Sequence, residues 1–142
     1  MTAAADIGEI ANIGGDVATA LNTIAQRLEA ADVDSARLDA RLLVSAATGE
    51  TTAGLIARSE RRLSTQEAEM LLAMAVRRCA REPMAHILGT REFWSLNFEV
   101  SASVLTPRPD SETIIEAACE YLPERDRQFR ILDLGTGSGC LL

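Results

Sequence analysis

The residues best suited to chemistry lie near the end of the sequence, where an apolar run leads into a glycine-rich turn. Residues 131–134 are apolar except for Asp133, and glycine stands at every second position from 135 to 139. In a doubly wound sheet, a ligand binds beyond the carboxyl end of a buried parallel strand. Glycines there let the backbone approach the ligand, and backbone N–H groups face its polar atoms. We therefore predict a strand over 130–134, a ligand-binding turn over 135–139 and a helix that starts near Cys140.

Two classes of ligand compete for this turn. A dinucleotide-binding fold uses the spacing Gly-x-Gly-x-x-Gly, which would put its third glycine at position 140, where the chain has Cys140. The observed spacing is Gly-x-Gly-x-Gly, with Asp133 two residues before the first glycine, and this tight form is typical of S-adenosylmethionine-dependent methyltransferases. A tight strand-to-helix turn without a ligand is the alternative. The candidate cofactor-binding residues of the turn are Asp133, Gly135, Thr136, Gly137, Ser138 and Gly139.

Upstream of this turn, the apolar residues of 16–88 recur at helical spacing and predict a small all-helical unit of short antiparallel helices. The second of these helices carries Leu38, Leu42, Leu43 and Ala46 at that spacing, which predicts its apolar face. Polar residues of the types that begin helices precede each apolar run, and 64–67 has the pattern of a capping box. The predicted helix starts are Asp16, Asp34 or Ser35, Thr51 or Thr52, and Ser64, with the second helix ending at Gly49 and the fourth at about Arg81.

The periodicity changes at Gly89 from that of a helix to that of a strand. Apolar residues then alternate over 93–100, which predicts a strand with one apolar side. Residues 104–106 fit the returning strand, so we expect a β-hairpin over 89–106. The apolar side of the first strand consists of Trp94, Leu96, Phe98 and Val100.

The segment Pro107–Glu112 separates this hairpin from the next helix. Its two prolines exclude helix and sheet, and 110–112 can open a helix that runs through Tyr121. Arg108 and Glu112 allow two interpretations. The segment folds over a cofactor pocket, which makes Arg108 a candidate cofactor-binding residue, or the two side chains form a surface ion pair at i, i+4.

Two further features have both a functional and a structural interpretation. His86 is the single histidine and invites a catalytic role, but its setting among apolar residues before the hairpin favours a packed or surface-bonded side chain. Six arginines of the helical unit could form a basic face toward an acidic partner, and a solvated face is the alternative. These arginines are Arg58, Arg61, Arg62, Arg77, Arg78 and Arg81.

Composition and charge narrow the class of protein. The 142 residues are 47% hydrophobic and 25% charged, which is typical of a folded soluble domain. The net charge of −7 provides no basic footprint, so we expect no direct nucleic-acid partner. The three cysteines lie too far apart for a zinc or redox motif, so we predict free, buried thiols and no metal site. The absence of a signal peptide and of a long apolar run predicts a cytoplasmic protein without a membrane segment, expected to be a monomer.

Four segments occur in an order and spacing that point to one family. They are residues 82–89, 91–98, 104–112 and 132–139. Together they resemble the release-factor glutamine N5-methyltransferases, the HemK/PrmC family, over about residues 16–142. The resemblance implies an α+β fold with a small N-terminal all-helical domain, a linking β-hairpin and the start of a Rossmann-like α/β methyltransferase domain. The expected organisation is a disordered tail over 1–15, a helical release-factor-recognition domain over 16–88, a β-hairpin linker over 89–106 and a truncated S-adenosylmethionine-dependent methyltransferase domain over 107–142.

The resemblance also implies an activity, the N5-methylation of the glutamine in the Gly-Gly-Gln motif of peptide chain release factors, with S-adenosyl-L-methionine as donor. The family holds the glutamine amide with an Asn-Pro-Pro-Tyr motif. These 142 residues contain no such motif, so no catalytic residue is assigned, and we expect this chain neither to bind the cofactor tightly nor to methylate. The alternatives are a ribosomal-protein glutamine methyltransferase of the same superfamily and a non-catalytic module that binds release factors.

Overall fold

A computed structural model describes residues 15–122 and 126–141 of the chain. The chain divides after Ile87 into a helical unit and a second unit that contains a β-hairpin. The tail predicted over 1–15 lies outside the described residues except for Gly15, and so does Leu142. None of the helices in the described ranges is long and apolar enough to cross a membrane.

The helical unit contains the four predicted helices and one more. Their bounds are Val17–Ala30 (α1), Ala36–Thr48 (α2), Thr52–Ala57 (α3), Thr65–Cys79 (α4) and Met84–Leu88 (α5). The predicted starts of α1 and α4 are confirmed by their side chains: Asp16 Oδ1 accepts the N–H of Thr19 at 2.8 Å, and the capping box of Ser64 and Glu67 is complete. Gly49 ends α2 with φ 69°, a left-handed conformation that favours glycine. Local residues therefore set the starts of α1 and α4 and the end of α2, as the sequence predicts. Ser35 makes no side-chain bond at the start of α2, and α4 ends at Cys79, two residues before the predicted Arg81.

The first turn of α1 is held by the loop between α3 and α4. The N–H groups of Val17 and Ala18 have no partner inside the helix, and they donate to the carbonyls of Arg61 at 2.9 Å and Ser59 at 3.0 Å. Leu63 N–H donates in the other direction, to Gly15 O at 3.2 Å. These main-chain bonds join the start of α1 to the loop that leads into α4.

The core of the helical unit lies between α1, α2 and α4. One face of α1 is buried along its full length, at Val17, Ala20, Ile24 and Leu28. It packs against α2 and α4, which contribute Leu43, Val44 and Leu71 among others, all fully buried. Burial of side chains of this size is the main source of stability for such a small unit.

The buried face of α2 differs from the prediction. Leu43 is buried, but Leu38 is 58% exposed and Leu42 39% exposed, and Ala46 is also exposed. The helix is rotated because Asp39, only 4% exposed, points inward and pairs with Arg78 of α4. A hydrophobicity pattern treats an aspartate as a surface residue and therefore misplaces this face. The residues that α2 buries are Ala36, Asp39, Ala40, Leu43, Val44 and Ala47.

The hairpin of the second unit is shorter than predicted and lies earlier in the chain. Its strands are Thr90–Phe93 (β1) and Leu96–Glu99 (β2), paired antiparallel with Thr90 opposite Glu99 and Phe93 opposite Leu96. The turn therefore falls at 94–95, inside the segment predicted as one continuous strand, and 104–106 is not a strand. Trp94 and Ser95 lack the Asn-Gly or Gly-rich signature of two-residue turns, so the local sequence does not predict a turn at this position.

After the hairpin, the predicted helix is present but the predicted strand is not. A 3₁₀ turn over Pro109–Ser111 leads into the helix Glu112–Tyr121 (α6). The strand expected over 130–134 is irregular and its apolar side chains are exposed: Ile131 by 68%, Leu132 by 80% and Leu134 by 84%. A parallel strand needs neighbouring strands to accept its hydrogen bonds, and within the described ranges the only sheet is the two-stranded hairpin. The Rossmann-like sheet is thus not seen, and the residues after Gly139 form a turn where a helix was expected.

Candidate cofactor-binding site

The glycine-rich turn has the backbone conformation that its glycines allow and other residues resist. Gly135, Gly137 and Gly139 all have positive φ, at 84°, 55° and 75°. A Cβ at Gly135 or Gly139 would meet nothing within 4 Å, so the backbone conformation demands glycine there, not crowding in this structure. The turn is closed by one main-chain bond, from Gly139 N–H to Thr136 O at 2.8 Å. Alternating left-handed residues of this kind expose backbone N–H groups along one concave side, which suits polar atoms of a ligand.

Asp133 contributes the one charged side chain of the turn. The residue is half-buried, and its Oδ2 atom is shielded from solvent without a hydrogen-bond partner among the described residues. A shielded carboxylate oxygen without a donor is costly, by about 1–3 kcal/mol or more for a charged group. A ligand that offers N–H or O–H donors would satisfy it. The turn therefore fits a cofactor with amino or hydroxyl groups, as S-adenosylmethionine has.

The remaining candidates around the turn differ in exposure. Thr136 is exposed, and Ser138 is half-buried beside Gly139. Arg108 is exposed, and no side-chain hydrogen bond or ion pair joins it to 133–139 in the part of the chain that the structure describes. The role of Arg108 in cofactor binding therefore stays a prediction, because no bond within the described residues joins it to the turn.

Glu112 has a different partner from the one considered in the sequence. Its Oε1 accepts the backbone N–H of Trp94, at the tip of the hairpin, at 3.0 Å. No ion pair between Arg108 and Glu112 forms within the described ranges, so the simple surface-pair interpretation is wrong. Sequence reasoning missed this contact because it joins residues 18 positions apart through a main-chain donor.

The arginines proposed as a basic face are largely neutralised within the helical unit. Arg58 pairs with Glu50 at 2.6 Å, and Arg61 with Glu67 at 3.0 Å. Bonds from Arg61 and from Ser64 lower the pKa of the Glu67 carboxyl to about 2, and the same pair raises the pKa of Arg61 above its usual value. With their charges matched inside the molecule, these residues favour the solvated-face interpretation.

Arg77 and Arg78, the other paired arginines of that face, hold the turn between α4 and α5. Arg77 makes two bonds to the Glu82 carboxylate, at 2.6 and 2.8 Å, and donates to the carbonyl of His86 at 3.1 Å. Arg78 Nε lies 2.7 Å from Asp39 Oδ2, and Arg78 Nη1 donates to Glu82 O at 3.0 Å. His86 is half-buried on α5, in agreement with a packed or bonded side chain. These contacts are structural and include no reactive pair.

No candidate metal-binding site is present among the described residues. No group of three or more His, Cys, Asp or Glu side chains is placed there to hold an ion. Cys79, Cys119 and Cys140 are free thiols, but they are not buried as predicted: Cys119 is exposed and the other two are half-buried. Partial burial raises the pKa of Cys79 above its usual value, which makes that thiol less reactive.

Comparison with characterised sequences identifies the class of protein. The release factor glutamine methyltransferase of Bradyrhizobium diazoefficiens is 48% identical over 131 residues, which cover 91% of this chain and 44% of the relative. The proteins of the same name from Rhodospirillum rubrum and Escherichia coli are 43% and 44% identical, over 36% and 38% of their lengths. These relatives are methyltransferases, and the chain spans less than half their length.

The helical unit narrows this class to one family. The sequence profile of the PrmC N-terminal domain matches residues 19–89, from α1 to the end of α5. The chain therefore belongs to the PrmC family, as its four ordered segments suggest.

Proposed function

We propose that a protein containing this chain transfers a methyl group from S-adenosyl-L-methionine to N5 of the glutamine in the Gly-Gly-Gln motif of peptide chain release factors. Two lines of support come together: the relatives are named release factor glutamine methyltransferases, and the chain carries the glycine-rich turn that such a cofactor fits. The release factor is the protein substrate, with no direct nucleic-acid contact. We place the activity in the cytoplasm and expect a monomer.

The observation that carries the cofactor assignment is the shielded Oδ2 of Asp133 beside three left-handed glycines. The bound cofactor supplies an electrophilic methyl group. The residues of this chain would bind and orient it: backbone N–H groups of 135–139 would donate to its polar atoms, and Asp133 would accept from its amino or hydroxyl groups. Arg108 is the further candidate on the segment before α6.

Positioning of the glutamine belongs to residues that this sequence does not contain. An amide nitrogen is a poor nucleophile, so the rate of methyl transfer to it depends on the orientation of its lone pair toward the methyl group. In the family this is the task of the Asn-Pro-Pro-Tyr motif, which is absent from the 142 residues. We therefore assign no catalytic residue and expect the chain alone to be inactive.

The first test uses the chain itself. Calorimetric titration with S-adenosylmethionine is expected to show no tight binding, because Ile131–Leu134 is not held in a sheet here. A low-micromolar dissociation constant would contradict that expectation. Reading the coding sequence beyond Leu142 adds an independent check, since Asn-Pro-Pro-Tyr some tens of residues downstream supports the enzyme.

The second test joins the chain to the remaining part of a relative. In a chimera, residues 1–142 replace the matching part of the Bradyrhizobium diazoefficiens methyltransferase, and transfer of labelled methyl to a release factor is measured. We expect activity in the chimera and a loss of about tenfold or more in cofactor affinity for D133A, as for one charge-assisted hydrogen bond. The matched control is D126A, an exposed aspartate outside the turn. An inactive chimera beside an active parent contradicts the proposal.

A second candidate is favoured by the distribution of the core. Nearly all buried apolar residues lie between Val17 and Val100, while Ile131, Leu132 and Leu134 are exposed. Such a chain suits a module that binds release factors through its helical unit without catalysing transfer. The chimera separates the two candidates: the enzyme predicts methyl transfer there, whereas the module predicts an inactive chimera although the 142-residue chain binds a release factor.

A further inference from the structure

The tip of the hairpin adopts a conformation that its residues disfavour. Trp94 has φ 51° and Ser95 has φ 60°, both in the left-handed region, and neither is glycine or asparagine. Two consecutive left-handed residues are what a tight two-residue hairpin turn of the I′ type requires. Bulky residues reach that region only when the surrounding structure holds them there. Something outside the turn must therefore stabilise it.

The hairpin is too short to supply that stabilisation alone. Each strand has four residues, and isolated two-stranded hairpins are marginally stable in water. Phe93 and Phe98 of its two strands form an edge-to-face pair, with ring centroids 6.2 Å apart. The indole of Trp94 is partly exposed, with 41% of the residue accessible to solvent.

Glu112 is positioned to hold the turn. Its Oε1 accepts the N–H of Trp94 at 3.0 Å, and Glu112 is the first residue of α6. A carboxylate that accepts a backbone N–H makes a charge-assisted hydrogen bond, here at a solvent-exposed position. Glu112 lies four residues after Arg108, with the 3₁₀ turn Pro109–Ser111 between them, so the contact also ties the segment Pro107–Glu112 to the hairpin.

We propose that Glu112 is a positioning residue whose carboxylate locks the Trp94–Ser95 turn to the start of α6 and so makes the hairpin tip and the Arg108 segment one unit. The inference rests on the proposed function only in giving Arg108 a cofactor role. The lock itself is a property of this chain, and neither cofactor nor substrate is needed to observe it.

Amide hydrogen exchange of the 142-residue chain measures the lock directly. In E112A the Trp94 amide is expected to exchange about tenfold or more faster, a factor that corresponds to roughly 1.4 kcal/mol. E112Q keeps an acceptor oxygen and should stay within about threefold of the parent chain, since a neutral acceptor retains part of the bond. E116A, which removes an exposed glutamate one turn further along α6, is the matched control and should leave the exchange unchanged.

A second measurement separates a lock from a general loss of structure. Trp94 is the only tryptophan, so incorporated fluorotryptophan gives a single fluorine NMR signal from the turn. E112A should shift and broaden this signal. S95G removes the conformational strain at Ser95, so S95G/E112A should recover a sharp signal and slow exchange of the β1–β2 amides.

Three results would overturn the proposal: unchanged Trp94 exchange in E112A, an equal effect from E116A, or no recovery in S95G/E112A. If E112A fails to fold, the exchange of the Trp94 amide is compared between E112Q, which keeps an acceptor at position 112, and S95G/E112A, which has none. Equal exchange rates would then overturn the proposal. An inactive chimera in the earlier test would remove the proposed methyl transfer without touching the lock, so the two ideas fail separately.

Discussion

Replacement of Asp39 by alanine is the sharpest stability test that the structure offers. Asp39 is 4% exposed and its Oδ2 lies 2.7 Å from Nε of Arg78, whose side chain is 18% exposed. Removal of one partner from a buried pair leaves the other charge without its counterion, which costs roughly 3–5 kcal/mol. Arg78 keeps its bond to Glu82 O, so we expect the lower end of that range, about 3 kcal/mol. The same pair joins α2 to α4, and the loss should therefore appear in the cooperative unfolding of the helical unit.

Urea unfolding followed by far-ultraviolet circular dichroism reports this loss, because the signal comes mainly from the helices. D39N retains an acceptor for Arg78 Nε and should fall between the parent chain and D39A. The control is E29A, which breaks an exposed pair with Arg37 at 3.6 Å and should change stability by less than about 0.5 kcal/mol. A loss below about 1 kcal/mol in D39A, or one no larger than in E29A, would refute the argument that this pair sets the buried face of α2.

Two further predictions concern the helical unit. L43A should destabilise the helical unit by about 2–5 kcal/mol, because Leu43 is fully buried. L38A, at an exposed position of the same helix, should cost less than about 0.5 kcal/mol. Equal losses of stability in urea unfolding would show that the buried face of α2 is assigned wrongly. Bonds from Arg61 and Ser64 lower the pKa of Glu67 from 4.5 to about 2, so the native state binds fewer protons than the unfolded state. The resulting stabilisation is complete above pH 4.5 and is lost as the pH falls toward 2; E67Q should lack that part of the acid dependence measured by unfolding at several pH values.

The features that sequence reasoning placed correctly depend on a few neighbouring residues. The capping box of Ser64 and Glu67 needs only four positions, and the N-cap Asp16 reaches only to Thr19. Gly49 ends α2 because its own φ is left-handed. Each of these outcomes is decided within one helical turn, so distant parts of the chain have little influence on it.

The features that it misplaced depend on contacts between distant residues. Asp39 is buried only because Arg78 lies 39 positions away in sequence and beside it in space. The Trp94–Ser95 turn has no local signature and is bonded to Glu112 from outside the hairpin. In both cases a polar or bulky residue takes an unfavourable place because a charged partner compensates for it, and single-sequence periodicity does not register such partners.

The glycine-rich turn is an example of a feature set by neighbouring residues, and the run before it is an example of a feature that needs distant contacts. The left-handed conformations of Gly135, Gly137 and Gly139 are present although 130–134 is not a strand, so the turn does not require the sheet in order to form. Strand pairing is non-local, and the exposed Ile131–Leu134 run has no partner in the described ranges. A turn that follows an irregular run is expected to bind its ligand weakly, because the free energy of binding then includes the entropic cost of ordering that run. Cofactor affinity is therefore expected to rise in the chimera without any change within 133–139, because added neighbouring strands would order the run before the turn.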